Sequence, residues 1–151
     1  MYKRQAKIVI NERASDIVDE IVASERTIWP DALAANPTTA DKMLVDDNGT
    51  LTLPDATNPV DIYHIGGDHA EDMVLIYLTE QKILFNGDLY SPFSPNPSTP
   101  MSPTFKSFAN DLHDALQSGN WPIDNTDGQV IGVHGAPGGV PITVFFDHYN
   151  L

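Results

Sequence analysis

Three short runs of β-branched and aliphatic residues follow one another closely: Val60 to His64, Met73 to Leu78 and Ile83 to Asn86. Only the turn Thr79 to Lys82 separates the last two, so they read as successive strands of a meander. The stretch that follows, Ser91 to Pro103, holds five prolines in thirteen residues. Proline fixes φ and removes a backbone donor, which excludes both helix and central strand. A sheet followed by a long surface loop, able to act as a rim or lid, is therefore expected in the middle of the chain.

Shorter elements lie on either side. Lys7 to Ile10 suits a strand. Ser15 can cap a helix from Asp16 to about Ala23, with Ile17, Val18, Ile21 and Val22 on one face. Glu25 to Asp41, interrupted by Pro30 and Pro37, reads as a long connection in which Trp29 and Leu33 could anchor a helical turn. Lys42 to Val45 and Leu51 to Leu53 flank Asp46-Asp47-Asn48-Gly49, a hairpin signal because both residues of an Asn-Gly step tolerate positive φ. Thr104 can cap a helix from Phe105 to about Ser118, with Phe105, Phe108, Leu112 and Leu116 on one face and Gly119 as its stop. Val130 to Val133 is expected to be the last strand, and Pro141 to Leu151 could be a short helix or an extended docking segment.

At 151 residues the chain has room for one domain. Apolar residues make up 41% and charged residues 19%, without a run long enough to span a bilayer. Eight Lys and Arg against 21 Asp and Glu give a formal charge of −13, which repels phosphate backbones and anionic lipid and argues against nucleic-acid and membrane partners. There is no cysteine, hence no disulfide and no thiolate ligand, so a metal could be held only by His, Asp or Glu.

Such residues stand at three strand ends. His69 follows Gly66-Gly67-Asp68, Asp88 follows Gly87, and His134 precedes Gly135. Glycine lets the chain turn sharply there, and a polar side chain leaving a strand end is aimed where loops converge. Imidazole and carboxylate are ligands that zinc accepts. Each has an ordinary alternative: a solvated loop histidine for His69, a turn aspartate for Asp88, a strand-end histidine for His134. Asp68, Asp72 and His64 could form an outer shell around His69, or a solvated acidic loop and a packed strand residue. His113 reads as an exposed helical residue, His148 as a tail residue, and Ser91 and Ser94 as loop residues. Gly138-Gly139 is a turn, since no G-x-x-x-x-G-K follows.

Read together, Ile65-Gly66-Gly67-Asp68-His69, the apolar run Val74 to Leu78, Leu84-Phe85-Asn86-Gly87-Asp88 and Val130-Ile131-Gly132-Val133-His134-Gly135 resemble the metallo-β-lactamase-fold hydrolase superfamily. The resemblance covers almost everything after Gln5. It implies an α/β fold, the αβ/βα sandwich of that superfamily. It also implies a site with two zinc ions, His69 on the first, Asp88 bridging and His134 on the second. There metal-bound hydroxide would attack an ester, thioester, amide or related bond of a small-molecule substrate.

The superfamily's main ligand motif, H-x-H-x-D-H, does not occur in this chain. The resemblance therefore implies an incomplete sandwich, mainly its C-terminal sheet and helices. Residues 6–151 would form a partial domain lacking the N-terminal ligand motif. Met1-Tyr2-Lys3-Arg4-Gln5 resembles the translated adapter at broken ends of gene fragments assembled from environmental reads, so residues 1–5 are expected to be a scar. Three consequences are expected: weak or absent zinc binding by this chain, no catalysis by it alone, and self-association through an apolar sheet face around Val74 to Leu78 and Ile83 to Phe85. The alternative is a non-catalytic binding or interaction domain that keeps the fold without metals.

Overall fold

In the computed structural model, which describes residues 7–24, 39–94, 96–135 and 138–151, the chain begins with β1 (Ile8–Asn11) and a single 3-10 turn. Asn11 caps that turn by accepting from Arg13 N at 3.0 Å. Helix α1 (Ser15–Ala23) follows directly, with Ser15 inside it and making no cap. The next strand, β2 (Lys42–Val45), pairs in parallel with β1. The buried Asn11 side chain donates to Val45 O at 2.8 Å and closes this two-stranded sheet. Residues 1–5, Trp29 and Leu33 lie outside the described residues.

The remaining strands form one six-stranded sheet in chain order: β3 (Thr50–Leu53), β4 (Val60–His64), β5 (Val74–Leu78), β6 (Ile83–Phe85), β7 (Gln129–Ile131) and β8 (Val140–Pro141). All neighbours are antiparallel except β6 and β7. The meander expected for β4, β5 and β6 is present. The hairpin expected at Asp46 to Gly49 is not, because β2 pairs with β1 and β3 with β4. Asn48 takes φ +54° and Gly49 N donates to Asp46 O at 2.8 Å. The turn signal is real, but the turn links two sheets. Nor is the strand before His134 the last, since β8 pairs with it.

Helix α2 (Pro103–Gln117) starts earlier than expected. Ser102, not Thr104, is the cap: its hydroxyl accepts from Phe105 N at 3.2 Å, and Pro103 occupies the first turn, where its missing donor costs nothing. The tail resolves into helix α3 (Ile142–Tyr149). Side-chain alternation decides which sheet face these helices cover. Tyr63, Leu75, Tyr77, Leu84 and Val130 are at most 2% exposed and share one core with Ala109, Leu112 and Leu116 of α2 and Ile142 and Phe145 of α3.

The opposite face carries a cross-strand row set by register, Leu51, Ile62, Ile76, Phe85 and Ile131. Ile62 is buried in it, whereas Ile76 and Phe85 are both 38% exposed. Among the described residues no helix is long and apolar enough to cross a membrane.

The two faces should respond differently to truncation. Leu75→Ala is expected to cost about 2–5 kcal/mol of unfolding free energy, whereas Ile76→Thr, one position along and half open, should cost under about 1 kcal/mol. Urea denaturation of the two variants checks this, and equal losses would mean that the outer face is packed as tightly as the inner.

Candidate metal centre

Sheet topology decides where the three strand-end residues go. β6 and β7 run in the same direction with Phe85 opposite Ile131, so residues an equal distance beyond each strand leave the same edge side by side. Asp88 and His134 are such a pair. β5 is antiparallel to β6, with Ile76 opposite Phe85, so the connection entering β5, which carries His69, emerges at that edge as well. His69 Nε2 lies 3.8 Å from Asp88 Oδ2 and His134 Nε2 lies 3.5 Å from Asp88 Oδ1.

The turn carrying Asp88 is fixed by a residue that reads on sequence as an ordinary strand end. Asn86 is fully buried. Its amide Nδ2 donates to Ile131 O at 3.0 Å and its Oδ1 accepts from Tyr90 N at 2.7 Å, tying the turn both to β7 and to its own far side. Gly87 takes φ +63°, a conformation costly for residues with a Cβ, and its carbonyl accepts from Val133 N at 2.9 Å. Ser91, expected to be a loop residue, is buried, and its hydroxyl accepts from His134 N at 3.4 Å. A side chain at Gly132 would collide with that hydroxyl.

His69 is held by α2. Its ring meets Phe108 edge-on with centroids 4.6 Å apart. One turn further, the Asp111 carboxylate accepts from Asp68 N at 3.0 Å and lies so close to Gly67 that a Cβ there would overlap it. Desolvation pushes the Asp111 carboxyl above its ordinary range, aided by the charges of Asp68 and Asp114, while the Asp68 N–H opposes the shift.

His64 is buried and contacts the same loop from the other side. Its Nδ1 accepts from Asn48 N at 2.8 Å, which leaves Nε2 to donate to Glu71 O at 2.9 Å. It therefore clamps the Asp46 to Gly49 turn to the His69 loop. Among the described residues, neither Asp68 nor Asp72 is hydrogen-bonded to His69 through its carboxylate. His113 is not simply exposed: it stacks on Tyr149 at 3.9 Å with the rings 8° from parallel. His148, in α3, bridges Tyr90 OH and Thr99 O at 3.2 and 2.9 Å.

A cavity of about 470 Å³ opens over these groups, lined by His69, Asp88, Ser91 and His134 together with Phe93, Phe105 and Phe108. Two donors bound to one tetrahedral ion at about 2.1 Å stand roughly 3.4 Å apart, so spacings of 3.8 and 3.5 Å about Asp88 suit ions shared in pairs. The donors fit zinc in type and spacing. They fall short in number, because among the described residues no three His, Asp or Glu side chains are grouped to hold one ion.

Solved structures with this arrangement of strands and helices match nearly the whole chain. A metallo-β-lactamase from Pontibacter korlensis is 20% identical, with a TM-score of 0.55 over 98% of this chain and 60% of its own. The apo state of the chemotaxis sensor ODP from T. denticola is 13% identical, with a TM-score of 0.57 over 97% of this chain and 58% of its own. A flavoprotein from Thermotoga maritima is 11% identical, with a TM-score of 0.57 over 98% of this chain and 36% of its own. No protein-family model and no curated protein matches the sequence. The chain has the metallo-β-lactamase fold and spans about 60% or less of the length of these three structures.

Because the Asp111 pKa is raised on folding, its charged form is a penalty that is present above the folded pKa and disappears as pH falls below the unfolded one. Asp111→Asn keeps an oxygen for Asp68 N without the charge. It is expected to be at least as stable as the parent at pH 7 and to compare less favourably with the parent as the pH falls, because it lacks the relief that protonating Asp111 brings. Thermal melts from pH 7 to pH 4 test this, and a clear loss of stability at pH 7 would contradict it.

Proposed function

We propose that this chain carries part of the metal site of a metal-dependent hydrolase acting on a small molecule at an ester, thioester, amide or related bond, and that alone it does not turn substrate over. His69 would serve one ion, His134 a second, and Asp88 both. When bound, such ions lower the pKa of coordinated water toward neutrality and polarise the bond to be cleaved. The chain's own residues hold the donors in place: Asn86 sets the Asp88 turn, Ser91 fixes the backbone at His134, and Phe108 and Asp111 seat the His69 loop.

The observation that carries this reading is the spacing of 3.8 and 3.5 Å between two imidazoles and one carboxylate that arrive at one cavity from separate turns. The structural neighbours add support, since they include a metallo-β-lactamase and a peroxy diiron species of the sensor ODP. A second reading, a binding domain that keeps this fold without ions, draws on the lack of any three-donor group among the described residues.

Zinc titration followed by imidazole NMR separates the two. Excess zinc is expected to shift the His69 and His134 signals together and to leave those of His64 and His113 in place, and no response at either of the first two would exclude the metal reading. The purified chain should hold substoichiometric zinc and hydrolyse p-nitrophenyl acetate no faster than buffer. Stoichiometric zinc that His69→Ala removes would instead show that this chain forms a complete site. Finding H-x-H-x-D-H immediately upstream in the source DNA would supply the missing donors.

A further inference from the structure

We infer that the cavity over Asp88 selects a substrate bearing an aryl or bulky alkyl group, and that with no ion bound it takes an uncharged ligand in preference to one carrying a carboxylate. The inference deepens the hydrolase reading and rests on it for the chemistry at His69, Asp88 and His134. The walls supply the first half of the argument. Phe93 from the proline-rich loop and Phe105 and Phe108 from α2 line one cavity with His69, Asp88, Ser91 and His134. Phe93 is 88% exposed, whereas Phe145 of the core is fully buried. An aromatic ring left open beside a cavity of about 470 Å³ gains most from an apolar group laid against it. That volume falls within the range of small-molecule sites, about 300–1,000 Å³.

The cations supply the second half. A carboxylate-bearing substrate needs a basic side chain or free backbone N–H groups to replace its water. Among the described residues, each lysine and arginine is engaged elsewhere. Lys7 lies 4.0 Å from Asp41, and Arg13 is forked onto Asp47 and also reaches Glu71. Lys42 meets Asp19 at 2.6 Å, and Lys82 meets Asp124 at 2.8 Å and Asp127 at 3.0 Å. Lys106, next to Phe105 in sequence, turns away and donates to Tyr149 O at 2.7 Å. The backbone N–H groups of Asp68, Tyr90 and His134 are already donated to Asp111, Asn86 and Ser91. Asp88 is the one acidic side chain lining the cavity, and with no ion bound its carboxylate disfavours an anion.

The test is ligand-observed NMR on the metal-free chain with benzyl acetate and phenylacetate, probes of similar size that differ in charge. Benzyl acetate should bind saturably and at least about tenfold more tightly than phenylacetate. Phe93→Ser, at a position too exposed to endanger folding, should weaken benzyl acetate by about tenfold, while Phe93→Leu should stay within about threefold of the parent. Equal or tighter binding of phenylacetate, no saturable binding of benzyl acetate, or indifference to Phe93→Ser would each overturn the inference. Zinc added afterwards to the same samples reports on the metal reading separately. A normal response of His69 and His134 with no probe binding sinks the substrate inference alone, and probe binding with no zinc response sinks the metal reading alone.

Discussion

The parallel pairing of β6 with β7 is the contact on which the site depends. Every other neighbour in the large sheet is antiparallel, and antiparallel strands joined in sequence send their ends to opposite edges. One parallel step, spanned by the proline-rich loop and α2, returns the chain so that both strands finish at the same edge. The register of Phe85 with Ile131 then makes Asp88 and His134 neighbours. A slip of one residue would turn β7 over and shift the His134 turn along the strand axis, out of step with Asp88. Asn86 guards against this slip, because its backbone N–H and its side-chain amide both bond Ile131 O.

Helix α2 links the site to the core. Ala109, Leu112 and Leu116 lie on its buried stripe, and Phe108 and Asp111 fall beside that stripe within one turn, directed at the His69 loop. The same packing that buries the inner face of the sheet therefore sets the position of His69. On this view a core substitution near Leu112 would loosen the loop as well as the fold, since the helix cannot shift against the sheet without moving both.

Local chemistry in the sequence revealed the strands, the loop and the three polar residues at strand ends, because glycine beside a polar residue after an apolar run has few other uses. It could not reveal pairing partners. Asp46 to Gly49 carries a sound turn signal, but whether β2 and β3 pair across it depends on β1, which lies far away in sequence and competes for β2. Ser102 and Thr104 are both competent caps for α2, and only Pro103, suited to the first helical turn, decides between them. Asn86 and Ser91 gave no signal, since their work lies in bonds to residues that only the folded register brings near. The spacing of His69, Asp88 and His134 was equally invisible, as it follows from two register relations and a loop clamp.

Exposure on the outer sheet face has a further lesson, because it follows neighbours more than side-chain type. Leu51, Ile62, Ile76, Phe85 and Ile131 form one apolar row with no polar residue to mark a boundary. The small sheet reaches β3 and β4 through β2, and there Ile62 is 4% exposed. Across the next two strands the row opens, to 38% at both Ile76 and Phe85. A continuous apolar row gains most when covered along its whole length, since the free energy scales with the area removed from water. Burial along the row is therefore deepest on β4, where the small sheet approaches, and shallower on β5 and β6.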